Sequence, residues 1–172
     1  MTLLTFLILL TGCALHRPWD QAFNGGEPVV IEPGDGAGNV RLGMRQGQVK
    51  RRIGEPDRAE VFPSENSTFW TWPSQGLSLQ FAGRKLNAMF FYSGVKGGYE
   101  TRDYKPFPGR TPEGITVYSN VAQVMGAYGS PDEAGELADA PIPARWFTYD
   151  NGVGFTFLAA GDKMVYVYLM KP

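Results

Sequence analysis

The sequence predicts an α+β protein made of two tandem helix-plus-three-strand repeats, whose strands form one antiparallel sheet with the helices on one face. Three observations carry that expectation. PGDGAGNVRLGMRQGQVKRRIGEPD, from Pro33, lies without a gap over PGRTPEGITVYSNVAQVMGAYGSPD, from Pro108, at an offset of 75 residues. Further on, FWTWPSQGLSLQF matches RWFTYDNGVGFTF, and RKLNAMFFY matches DKMVYVYLM. Leu77, Leu79 and Phe81, like Val153, Phe155 and Phe157, alternate with small or polar residues, the period of a strand with one buried face.

These matches divide the chain into a first repeat at residues 29–94, a linker at 95–107 containing Gly97 and Gly98, and a second repeat at 108–172. The identities are Pro33/Pro108, Gly34/Gly109, Gln48/Gln123, Val49/Val124, Gly54/Gly129, Pro56/Pro131 and Asp57/Asp132. Each aligned stretch reads as a short strand leading into a short helix. Val49 and Ile53, and equally Val124 and Tyr128, are four apart and share a helix face. Gly54 and Gly129 fall where a helix needs a glycine cap, and Pro56 and Pro131 stop its continuation. Asn120 is an N-cap residue, and Gln123 is placed to reach back as in a capping box. Arg45 occupies the corresponding place in the first copy, which predicts a weaker helix start. Beyond each helix come a hairpin and a further strand, with Asp150-Asn151-Gly152 as turn residues that tolerate positive φ.

The first twelve residues read as a signal peptide. LLTFLILL, at residues 3–10, is far shorter than the roughly 20 apolar residues that a membrane-spanning helix needs. Leu10-Thr11-Gly12-Cys13 resembles the lipobox of bacterial lipoproteins, which implies cleavage before Cys13 and lipid attachment at that residue. Ala14 in place of Asp resembles the outer-membrane sorting default of Gram-negative lipoproteins, so the periplasmic face of the outer membrane is the expected location. Three acyl chains on one cysteine make a stable anchor. Residues 13–28 then serve as the lipidated cysteine and its tether.

Composition narrows the function. Lys+Arg total 16 against Asp+Glu 17, so no net field attracts nucleic acid. Cys13 is the only cysteine and His16 the only histidine, which leaves no intrachain disulfide, cysteine-rich zinc site, histidine triad or multi-histidine metal site. Gly34, Gly36 and Gly38 lack the GxGxxG spacing and have no Walker lysine behind them, and they read as a turn. Glu55 with Asp57, and Asp132 with Glu133, read as solvated acids after each helix. No catalytic residue, metal or cofactor is expected, and a non-enzyme follows. Arg45, Lys50, Arg51 and Arg52 make the first helix basic; a solvated face is one reading and contact with lipid phosphates the other.

Aromatic residues are the informative feature. Phe90, Tyr92, Tyr166 and Tyr168 alternate with Met89, Phe91, Val165, Val167 and Leu169. If the aliphatic set packs under the helices, the rings line the open face of the sheet, where they either form a protein interface or complete the core. Trp70 and Trp72, which correspond to Phe147 and Tyr149, join them as candidate partner-binding residues.

LGMRQGQVKRRIGEPD resembles the opening of the SmpA/OmlA (BamE-like) lipoprotein module, through Leu42, Gly43, Met44, Gln48, Val49, Gly54 and Pro56. The tandem arrangement is similar to the β-lactamase inhibitor protein fold, although Tyr118-Ser119 replaces Gly-Met in the second copy and the inhibitor's disulfides have no counterpart. The expected function is an exported, lipid-anchored protein-binding module, an envelope scaffold or assembly accessory whose partner is an envelope or exported protein. The alternative is a protein inhibitor of an exported enzyme.

Overall fold

Alternating apolar residues build the main sheet strand by strand. The structure is a computed structural model and describes residues 28–172; the leader, Cys13, His16 and all but the last tether residue lie outside the described residues. The chain begins with three short strands, β1 (Val29–Glu32), β2 (Gly36–Ala37) and β3 (Val40–Arg41), followed by helix α1 (Gln46–Ile53). Four strands follow: β4 (Arg58–Phe62), β5 (Ser67–Trp72), β6 (Leu77–Ala82) and β7 (Lys85–Tyr92). After residues 93–107 come β8 (Gly109–Arg110), helix α2 (Val121–Tyr128), and β9 (Glu133–Leu137), β10 (Ala144–Thr148), β11 (Val153–Leu158) and β12 (Met164–Met170).

Eight strands form one antiparallel sheet in the order β4-β5-β6-β7-β12-β11-β10-β9, so β7 and β12 meet at its centre and β4 and β9 are its edges. A second, four-stranded sheet has the order β3-β2-β1-β8, in which β1 pairs parallel with β8. Register shifts at Gln80/Phe81 and at Thr156/Phe157 place a bulge between β6 and β7 and another between β11 and β12, where a sheet bends and gains twist. One apolar cluster unites Leu79, Phe81, Met89, Phe91, Phe155, Phe157, Val167 and Leu169 of the large sheet with Val49, Ile53 and Val124 of the helices. Val29, Ile31, Ala37 and Val40 of the small sheet join the same cluster. Of the described residues, no helix is long and apolar enough to cross a membrane.

The expected α+β class of two helix-plus-three-strand repeats is overturned. The described residues are mostly β: two helices of eight residues each stand against one eight-stranded sheet and a separate mixed sheet. The edge strands escape a periodicity reading because β4 (RAEVF) and β9 (EAGEL) are largely exposed and bury no alternate row of apolar residues. The small sheet escapes it because the β1–β8 pair joins segments that are distant along the chain, Val29 opposite Gly109.

The two helices begin differently. Asn120 Oδ1 accepts a hydrogen bond from the Gln123 N–H at 3.0 Å, while Gln123 Oε1 accepts from the Asn120 N–H at 2.9 Å. At α1 only the second of these exists, from the Arg45 N–H to Gln48 Oε1 at 2.9 Å, because a guanidinium has no acceptor to offer. Asn120→Ala should therefore destabilise the fold by about 1 kcal/mol, and Arg45→Ala should change it little; denaturant midpoints of the two variants measure the difference.

Candidate functional site

Strand parity places a set of rings on the face of the large sheet turned away from the helices. Met89 and Phe91 are fully buried in the core, so Phe90 and Tyr92, between and beyond them, point the other way. The register continues that row across the sheet: Tyr92 faces Tyr166, Phe90 faces Tyr168, and Ser78 of β6 faces Phe90. On β5, Phe69 lies opposite Gln80 and shares the face. Phe90 is the hub, with ring centroids 5.7 Å from Tyr166, 6.3 Å from Tyr168 and 6.3 Å from Phe69. Phe62, on the β4 edge, continues the row with an edge-to-face contact to Phe69 at 5.7 Å. Phe62 is exposed, whereas Phe69, Phe90 and Tyr166 are half-buried and Tyr92 and Tyr168 buried. Offset and edge-on contacts of this kind add to the stabilisation from area burial.

Two glycines seat rings flat on this face. Gly154 stands opposite Tyr168, and a Cβ at Gly154 would lie 2.0 Å from Tyr168 Cζ. Gly135 stands opposite Trp146, and a Cβ there would lie 2.7 Å from Trp146 Cζ2. Neither position needs an unusual backbone; what each supplies is close approach, with the neighbouring ring covering the bare strand. Tyr168 is held further by a 2.5 Å hydrogen bond between its hydroxyl and Thr148 Oγ1. The result is a floor of rings with few projecting groups.

Residues 93–107 cross the same face as a strap. Ser93 Oγ donates to the Met164 carbonyl at 2.6 Å, and Gly98 bridges to Ile142. At the other side, Arg102 Nη2 donates to both carboxylate oxygens of Glu60 at 2.9 and 2.8 Å. Tyr104 then stacks on Tyr92, with centroids 3.7 Å apart and planes 13° apart, and its hydroxyl is 3.0 Å from Ser78 Oγ. The strap covers Tyr92 and walls one side of the floor, leaving Phe69, Phe90 and Tyr166 partly open.

Of the six sequence-derived candidates, four share this face: Phe90, Tyr92, Tyr166 and Tyr168. Trp70 and Trp72 do not. Trp70 pairs with Leu79 and Trp72 with Leu77, so both point to the helix side. Trp72 is 2% exposed and its Nε1 donates to the Glu55 carbonyl at 2.8 Å, while Trp70 packs 4.7 Å from Phe81. Both tryptophans stabilise the core and drop out of the candidate surface. Sequence reasoning missed Phe62, Phe69, Trp146 and Tyr104. Phe69 was legible by parity, being one residue from Trp70 in the same strand. Among the described residues, no group of three or more His, Cys, Asp or Glu is placed to hold a metal.

No family model matches the chain, and no curated protein matches it. Three solved structures resemble it loosely. An extracellular protein with an SCP domain from Bacillus anthracis is 12% identical with a TM-score of 0.45, over 76% of this chain and 44% of that one. A DUF4309 family protein from Bacillus subtilis is 11% identical with a TM-score of 0.46, over 91% and 94%. A cysteine-rich secretory protein from Staphylococcus aureus is 10% identical with a TM-score of 0.48, over 84% and 52%. The chain spans about half the length of the first and third of these.

Two outcomes follow from the floor. Gly154→Ala should cost about 1–3 kcal/mol through overpacking against the Tyr168 ring, and much less in a Tyr168→Ala background; a double-mutant cycle of unfolding free energies measures the coupling. Burial also raises the phenol pKa of Tyr92, Tyr166 and Tyr168, with the charges of Tyr104 and Glu100 adding to the rise at Tyr92. Because the folded values lie above the unfolded value of about 10, this contribution to stability is complete below that pH and is lost as pH rises through the folded values. Denaturant midpoints should fall above about pH 10, and less steeply in Tyr92→Phe.

Proposed function

We propose that this chain is an exported protein-binding module, anchored through lipid on Cys13, that recruits an envelope or exported protein to the aromatic floor of its large sheet. The observation that carries this reading is the continuous row Phe62, Phe69, Phe90 and Tyr166, exposed or half-buried on a sheet face that the helices leave open. Partly exposed aromatic rings held in one orientation are the residues that interfaces use as anchors, because they bury much area and lose few rotamers. A rigid sheet supplies the positioning, and the strap, tied by Arg102 to Glu60, gives the floor a polar rim. Interfaces divide in the same way, with an apolar centre and a polar margin.

The anchor rests on Leu10-Thr11-Gly12-Cys13 behind an apolar leader, and the outer-membrane address rests on Ala14. With a tether of residues 13–28, a partner in the envelope lies within reach of the folded part. A scaffold or assembly accessory needs no more chemistry than this.

Photo-cross-linking in the native cells tests the binding face. A photoreactive phenylalanine at position 90 or 166 should give discrete protein adducts, and the same residue at 125, which is exposed on α2, should not. Adducts of equal yield at 125, or none at 90 and 166, would sink the interface. In the same cells Cys13→Ala should move the protein from the membrane to the soluble fraction; continued membrane fractionation removes the anchor.

A further inference from the structure

On the helix side of the molecule, a recess of about 700 Å³ opens between the start of α1 and the β6–β7 turn. Arg45, Gln46, Gly47, Gln48, Arg51 and Arg84 line it. Three exposed arginines thus line one hollow that contains no acidic residue. Their backbones are clipped together. The Gly43 N–H donates to the Leu86 carbonyl at 2.7 Å, the Leu86 N–H to the Met44 carbonyl at 2.8 Å, and the Gln46 N–H to the Arg84 carbonyl at 3.3 Å. Arg51 folds back over the first turn, so that a Cβ at Gly47 would sit 3.9 Å from its Nη1.

The two other cations of α1 are engaged, whereas these three arginines enter no ion pair among the described residues. On the same helix Lys50 pairs with Glu55, and Arg52 donates to the Asn39 carbonyl. Like charges gathered without a counter-charge repel one another and focus a positive potential on the hollow they surround. The corresponding corner beside α2 offers a contrast. There a recess of about 310 Å³ is lined by Ser119, Asn120, Asp162 and Lys163, among others. No arginine enters it, and Asp162 pairs with Arg145.

We infer that the recess of α1 binds a diphosphate group, held by Arg45, Arg51 and Arg84. The chemistry selects the ligand. A guanidinium presents a planar fork of donors that matches phosphate oxygens in pairs. Three such forks carry a charge that a diphosphate balances, and the recess has room for two linked phosphates. The group can arrive on a soluble ester or on a lipid, and both present the same oxygens. The site lies on the helix side of the sheet, away from the aromatic floor, so its fate is independent of the protein-binding reading.

Calorimetric titration of the full chain in neutral detergent with inorganic diphosphate is the first arm of the test. Flotation of the full-length Cys13→Ala chain with vesicles of phosphatidylcholine carrying a polyprenyl diphosphate, against plain phosphatidylcholine, is the second. Saturable binding in either arm supports the site, and the arm that responds identifies the source. Arg51→Gln and Arg84→Gln should each weaken binding about tenfold or more, with unchanged unfolding midpoints. Arg58→Gln, on the exposed β4 edge, should leave it intact. No binding in either arm, or equal loss in Arg58→Gln, overturns the inference.

Discussion

The pairing of β7 with β12 is the contact on which the molecule depends. Without it the chain would hold two four-stranded sheets, each with a long, apolar, unprotected edge. With it, Met89 meets Leu169 and Phe91 meets Val167 on the helix side, while Phe90 meets Tyr168 and Tyr92 meets Tyr166 on the other. One ladder of backbone hydrogen bonds therefore aligns both the core and the aromatic floor. Register permits no half-measures here, because a slip of one residue would exchange the two rows and expose the aliphatic set. The last strand of each half of the chain must meet the other before either row is complete, a non-local event of the kind that slows folding.

The floor and the strap are solutions to one problem. A face carrying this many rings is too apolar to be left wholly to water and too open to count as core. Gly135 and Gly154 let rings lie down on neighbouring strands, which hides area without a second layer. The strap hides more by stacking Tyr104 on Tyr92. What is left open is a defined row, not a diffuse patch. Across the sheet, the recess beside α1 shows the opposite economy, with three arginines that no ion pair among the described residues uses, where Lys50 of the same helix pairs with Glu55.

Much of the central structure is legible in the sequence. Leu77, Leu79 and Phe81, and Val153, Phe155 and Phe157, sit in the core because period two in a strand gathers apolar residues on one face. Val49, Ile53 and Gly54 likewise mark α1 and its end. The strands lost to a sequence reading are those whose stability comes from backbone pairing instead of burial. Apolar rows betray a strand when they are long and buried, and β4 and β9 bury none. Trp70 and Trp72 show the complementary error. Large aromatics attract a functional reading, but the face a strand residue occupies is set by its partner, and the partners of Trp70 and Trp72 are Leu79 and Leu77. The role of Gly154 is invisible for the same reason, since the ring that lies on it belongs to another strand.

The two outermost strands decide how the molecule behaves in company. An open sheet ends in rows of unpaired backbone donors and acceptors, which are templates for another chain. Here the ends are short and carry Arg58 and Glu60 on one side and Glu133 and Glu136 on the other. A foreign strand approaching β9 must strip water from its charges and gains almost no apolar cover in return. Edge addition is therefore opposed more strongly at β9 than at β4, where exposed Val61 and Phe62 would give an incoming strand apolar cover.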